Sequence, residues 1–254
     1  MEIGISLIIG IVGSIIAATI VTFVVKWYRK KVLEKRKIAS VNTELIRLGK
    51  TFLNQGLTKF HFSRDDYGRT LASFIDTASQ SISIVSISLK ITDDEGQLSY
   101  LFKRKLSVNS SFMISISLIN PNNQELVKVV ADTLNISKEK LSHEITEMLK
   151  DLLDCFESLN PSEKSRFKIL VHDCFPMGSV VMLDATPTGG MIQVETKLYK
   201  APRTASFGFQ LTKDSPFFKH NFVAWHRVIQ DSKPYTKEQL VKKRVVNSKN
   251  INRK

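Results

Sequence analysis

SISIVSISL, residues 81–89, sets serine alternately with isoleucine, valine and leucine, and FMISISLI, residues 112–119, does much the same. A period of two is what a β-strand imposes, because successive side chains point to opposite faces. Between them an acidic start at Asp93, Asp94 and Glu95 opens a helix running through Leu106. Strand, helix, strand implies a parallel pair joined by a right-handed crossover. Upstream, a helix from about Arg64 to Ala78 has Leu71, Phe74, Ile75 and Ala78 to bury. Downstream, Asn120-Pro121-Asn122-Asn123 breaks the chain where the second strand ends. Helices are then expected over 124–134 and 138–159, the latter capped by Ser137.

The last third reads as strands at 167–172, 179–184, 191–199 and 206–211, closed by a helix over 216–229 that buries Phe217, Phe218, Phe222, Trp225 and Ile229. Thr186-Pro187-Thr188-Gly189-Gly190 joins two adjacent strands, which favours a hairpin turn over a phosphate-binding glycine nest. The fold class is therefore α/β, one mixed-sheet domain with flanking helices over residues 60–232.

Ahead of that domain, no charged residue occurs from Ile3 to Val25. About 20 apolar residues suffice to cross the hydrocarbon core as a helix. Only Glu2 precedes the run, and Lys26, Arg29, Lys30 and Lys31 follow it, a pattern unlike a cleaved signal peptide. Residues 3–27 are thus expected to form a single membrane-spanning helix in the inner (plasma) membrane. Met1 lies outside and the domain in the cytoplasm. Ser6, Gly10, Ser14, Ala18 and Thr22 recur every four residues. Such a stripe suits helix self-association through Gly10, Ser14 and Ala18, with a narrow pore or channel as one outcome, and the alternative is a lone anchor containing small residues. No ionisable residue in the span marks an ion path. Residues 28–57 continue as a helical stalk ending near Gly56, with Ile38, Val41, Leu45 and Leu48 spaced for a short coiled-coil seam or for packing onto the domain.

Charge follows the same division. The net +13 comprises +6 over residues 26–37, +7 over 233–254, −1 from Glu2, and hence +1 for 38–232. Basic character belongs to the two flanks, which suit anionic lipid, and residues 233–254 read as a disordered basic tail. Cys155 and Cys174 match no zinc spacing and no disulfide framework, and read as buried reduced thiols of a cytosolic domain. No metal or cofactor is called for.

The order of these landmarks, with the phrases SLINPN (117–122) and FPMGSVVMLD (175–184), resembles a phospholipase D-like domain over about residues 64–230. In active members a His-x-Lys-x-x-x-x-Asp motif supplies an attacking histidine, a lysine for the phosphate oxygens and an orienting carboxylate. Placing the carboxylate at Asp184 puts Met177 at the histidine position and Ser179 at the lysine position. His61, His143, His172, His220 and His226 each lack a lysine two residues on. Methionine cannot attack phosphorus and serine carries no charge, so the resemblance implies a catalytically inactive, degenerate member.

What it implies of function is a cleft kept for a phosphate-bearing ligand, a nucleotide or oligonucleotide. Ser88, Lys90, Asn120, Asn122, Ser179, Lys197 and Tyr199 are the candidate lining residues, the lysines as ion-pair partners and the others as hydrogen-bond donors. The expectation is a membrane-anchored homo-oligomeric receptor or effector, in a setting such as bacterial anti-phage defence, whose ligand controls the association of its membrane helices. Two other readings stay open: a membrane-bound phosphodiesterase or nuclease with a rebuilt site, and a non-enzymatic membrane scaffold.

Overall fold

A computed structural model describes residues 47, 49–61, 67, 70–89, 95–175, 178–201, 206–212 and 215–240. The expected membrane span, the stalk seam at Ile38, Val41, Leu45 and Leu48, the candidates Lys90 and Met177, and residues 241–254 lie outside them. Among the described residues no helix is long and apolar enough to cross a membrane. The chain divides into two compact units, Met1–Phe52 and Leu53–Lys254, and the fold below is that of the second.

Its elements are β1 Leu57–His61, α1 Leu71–Ile75, β2 Ser81–Ser86, α2 Glu95–Val108, β3 Met113–Ile119, α3 Gln124–Thr133, α4 Lys138–Glu157, α5 Pro161–Lys164, β4 Phe167–His172, β5 Gly178–Thr186, β6 Gly189–Thr196, β7 Gly208–Thr212, α6 Pro216–Asp231 and β8 Lys233–Pro234. Among the described residues the eight strands make one sheet in the order β1-β7-β6-β5-β2-β3-β4-β8. The centre is parallel, β2 with β3 and β3 with β4, and the other pairings are antiparallel.

The two serine-rich strands pair as read, residue for residue from Ser81↔Met113 to Ser86↔Leu118. Ile82, Ile84, Ile114, Ile116 and Leu118 all face the larger core, where Phe102, Leu106, Val127, Leu141 and Leu149 meet them from α2, α3 and α4. The opposite face differs from a solvated serine surface. Val85 joins Val180, Met182, Ile192, Val194 and Leu211 in a second core sealed by Phe218 and Phe222 of α6. The end of β2 is therefore buried on both faces, which a parallel strand at the sheet centre requires. α6 buries less than expected: Phe217 is exposed, and Trp225 and Ile229 are only partly covered.

Several boundaries differ from the sequence reading. The expected helix over 64–78 reduces, among the described residues, to α1 capped by the Thr70 hydroxyl. The stalk helix does stop at Gly56, whose φ of +79° favours glycine. A β-carbon there would also lie 2.7 Å from the Thr212 carbonyl oxygen. Leu57 then enters β1, an edge strand that no alternation in LTKFH announces, so the domain begins before residue 60. The hairpin at 186–190 is as expected, with Thr186 paired to Gly189.

At the other end the chain is not a free tail after Ser232. Lys233 and Pro234 pair with Val171 and Leu170, the Tyr235 N–H donates to the Ile169 carbonyl at 2.9 Å, and Tyr235 and Leu240 are buried in the larger core. Charge composition hid two apolar anchors in a basic segment. Cys155 is buried but Cys174 is exposed, contrary to the expectation for both.

Candidate functional site

Because β2, β3 and β4 are parallel, their carboxyl ends share one edge of the sheet, and β5, antiparallel to β2, starts there. β6 ends at the same edge, since Ser179 lies opposite Glu195 and Gly178 opposite Thr196. Crevices at this edge of parallel strands are where open α/β sheets take ligands. Ser88, Asn120, Asn122, Ser179 and Lys197 all belong to it.

At its centre the Ser86 and Ser179 hydroxyls are hydrogen bonded at 2.9 Å, bridging β2 to β5. Ser86 Oγ also accepts the Leu89 N–H at 3.3 Å, and Leu89 holds a φ of 49°, uncommon for a leucine. That turn buries Ser88, 6% exposed. On the β6 side, the Glu195 carboxylate pairs with Lys197 and accepts the Ser206 hydroxyl at 2.8 Å. Lys197 thus spends charge on a neighbour two residues away. Gln193 and Gln210 join their buried side-chain amides at 2.6 Å one pair further along.

On the β4 side, the Asn120 and Asn123 amides donate to one oxygen of Asp173 at 2.9 and 3.2 Å, and Lys233 lies 3.8 Å from the other. Asn120 Oδ1 accepts the Asn122 N–H at 3.0 Å, which shapes the turn into α3. The amides of this loop are held by the protein's own carboxylate. His172, 3% exposed, keeps Nδ1 3.1 Å from the Cys174 carbonyl oxygen and 3.3 Å from Cys174 Sγ. Burial pushes the His172 imidazole below its ordinary pKa, against the backbone carbonyls of Cys174 and Ser86 and the Asp173 charge, which raise it. Although Cys174 as a whole is exposed, partial desolvation of its sulfur pushes the thiol up, with help from Asp173 and Asp231.

Tyr199, two residues beyond Lys197, is exposed on a turn whose Lys200 N–H donates to the Thr133 carbonyl at 2.7 Å. Asp184 sits at the far end of β5 with φ 50°. Its carboxylate accepts the N–H groups of Ser79, Gln80 and Ser81 at 2.6–2.8 Å and the Ser79 hydroxyl at 2.8 Å. Burial raises its pKa, but those four donors prevail and hold it below the usual value. Asp184 fastens the entry to β2 and orients nothing at the opposite edge.

Sequence reading missed Ser86 and Glu195, and it gave Asp173 and Cys174 no role at this edge. The signal for Glu195 was present in QVET, where Gln193 and Glu195 occupy alternate positions of a strand. Nothing local announced the Asp173 partners, which lie 50 and 53 residues away.

No model of a known protein family matches the chain, and neither does any curated protein. Solved structures do. One is a phospholipase D family member, Nuc from Salmonella typhimurium, at 15% identity over 70% of this chain and 97% of that one, with a TM-score of 0.39. Another is TrmBL2, an archaeal chromatin protein described as showing a novel mode of DNA binding, at 11% identity over 86% of this chain and 71% of that one, with a TM-score of 0.37. Likenesses of this size say nothing of what this chain binds or catalyses.

Proposed function

We propose that the chain is a membrane-anchored receptor or effector whose cytoplasmic domain, a catalytically inactive phospholipase D-like unit, binds a phosphate-bearing ligand at the carboxyl edge of its sheet and so controls association of its membrane helices. The ligand class is a nucleotide or oligonucleotide, and anti-phage defence is a fitting setting. The observation that carries the reading is the Ser86–Ser179 hydroxyl pair at the centre of that edge. A neutral hydrogen-bonding pair occupies the place where the resemblance calls for a charged, phosphate-gripping lysine. Hydroxyls and amides hold a ligand without activating it, and Lys197 meets a phosphate only in competition with Glu195.

Two assays on the purified full-length protein test this. Incubation with model phosphodiesters and with DNA should give no turnover above a buffer blank. Titration with nucleotides and short oligonucleotides should show saturable binding that Ser179→Asp, which sets a negative charge at the edge, weakens at least tenfold. Turnover by wild type, or binding indifferent to Ser179→Asp, would remove this site and role.

A further inference from the structure

Val181 of β5 belongs to the larger core, but the residues beside it on that face of the sheet are polar. Gln193 of β6 lies opposite Val181, Glu195 opposite Ser179, and Gln210 of β7 opposite Gln193. Paired residues of neighbouring strands share a face, as do alternate residues of one strand, so the two glutamines stand in one layer with Ser179. We propose that the Gln193–Gln210 amide pair is the base-reading part of the ligand site, taking the hydrogen-bonding edge of a nucleobase whose phosphate lies at the serine pair. The inference rests on the nucleotide reading above and deepens it.

The two amides are only half used. Gln210 Nε2 donates to Gln193 Oε1 at 2.6 Å. The amide hydrogens of Gln193 and the Oε1 of Gln210 make no hydrogen bond among the described residues, although the two residues are only 9% and 3% exposed. Each amide carries a donor group and an acceptor, so the pair keeps one of each in hand. Exchanging the two ends of both amides swaps the roles and leaves the same set. Buried polar groups are met by partners as a rule, and tying β6 to β7 uses neither of these. The bond between the glutamines also fixes both amide planes before a ligand arrives, which lowers the cost of ordering them. A nucleobase presents neighbouring donor and acceptor atoms on its flat edge, and these are the complement of what the pair holds out.

An aromatic wall stands on the same face. Gly208, opposite Glu195, has no side chain, and Tyr67 packs its hydroxyl end where a β-carbon would be. His61, paired with Gly208, meets the Tyr67 ring edge-on at a centroid distance of 4.5 Å. Gly208 is two residues from Gln210, so the rings stand about 7 Å along β7 from the amides. Such rings give a base a flat surface to pack on. The reach fits as well. A two-residue step along the strand, about 6.8 Å, and one strand spacing, about 4.8 Å, set Gln193 diagonally about 8 Å from Ser179. A nucleoside monophosphate spans that gap from phosphate to base.

The test is calorimetric titration of the purified full-length protein with four RNA homotetramers, one for each base, and with a tetramer of the same sugar-phosphate backbone that carries no bases. Wild type should bind at least one homotetramer about tenfold or more tighter than the abasic tetramer, because a site built to hydrogen-bond a group rejects the analogue that lacks it. Gln193→Met combined with Gln210→Met removes both amides and keeps their shape, so the ratio should fall below about twofold while abasic binding is unchanged. Ser179→Asp should weaken all five tetramers alike. If the double variant does not melt with wild type, Gln193→Glu takes its place. It keeps the oxygen that holds Gln210 and turns the donor group into an acceptor, so a different homotetramer should bind best. Equal binding of abasic and base-bearing tetramers, a preference that survives the double methionine change, or an unchanged ranking in Gln193→Glu overturns base reading and leaves phosphate binding at the serine pair standing. Absence of binding by all five tetramers overturns both.

Discussion

Asp184 shows how one side chain's role changes once its neighbours are known. Beside a methionine and a serine in sequence it looks like the remnant of a catalytic motif, yet its carboxylate satisfies three successive backbone N–H groups that open β2. Asp184→Ala should cost about 1.5–3 kcal/mol, the scale of losing hydrogen bonds to a charged acceptor. Asp184→Asn should cost less, since asparagine tolerates the left-handed φ and retains one oxygen. Linkage fixes the sign of the pH effect. The folded carboxyl titrates below its ordinary 3.8, so the unfolded chain binds the extra proton first. The stabilisation is full above that value and is lost as pH falls through the folded pKa. Urea unfolding on either side of pH 3.8 should show a steeper acid loss in wild type than in Asp184→Asn.

Elements were legible where a periodic pattern and a packed face coincide. β3 starts at Met113 instead of Phe112 and ends at Ile119 as read, β4 matches over 167–172, and α6 begins at Pro216 behind its Ser215 cap. They were illegible where tertiary partners alone decide. LTKFH becomes β1 because β7 offers a free edge, and Lys233–Pro234 becomes β8 because β4 does. Proline suits such an edge, having no N–H to donate outward. The strap from Ser232 to Leu240 is consequently structural, fixed further by the Ser117–Ser232 hydroxyl pair at 2.7 Å. Ending the chain at Ser232 should destabilise the domain by about 3–6 kcal/mol, two side chains at about 1.5–3 kcal/mol each for Tyr235 and Leu240. Ending it at Leu240 should leave the thermal midpoint near that of the whole chain. Equal midpoints for both truncations would show that the strap contributes nothing.

At the scale of the whole molecule, the candidate edge was only partly legible because strand order, not spacing in sequence, gathers it. Ser86 and Ser179 are 93 residues apart and meet only because β5 inserts beside β2. The account joins that edge to an oligomer held by Gly10, Ser14 and Ala18 in the bilayer and by Ile38, Val41, Leu45 and Leu48 above it. Lipid gives helices no hydrophobic drive to associate, so close packing at the small residues must hold them and a bulky side chain should part them. A ligand shifts that association only through different affinity for the two assemblies. Native mass spectrometry of the full-length protein in detergent, alone and as Gly10→Ile combined with Leu45→Asp, measures subunit number and bound mass together. The account predicts a wild-type homo-oligomer carrying an intact phosphorus-containing molecule, and variant monomers that hold the same molecule with altered affinity. A monomeric wild type, an oligomer untouched by the double change, or a phosphodiester found cleaved on the protein would contradict it.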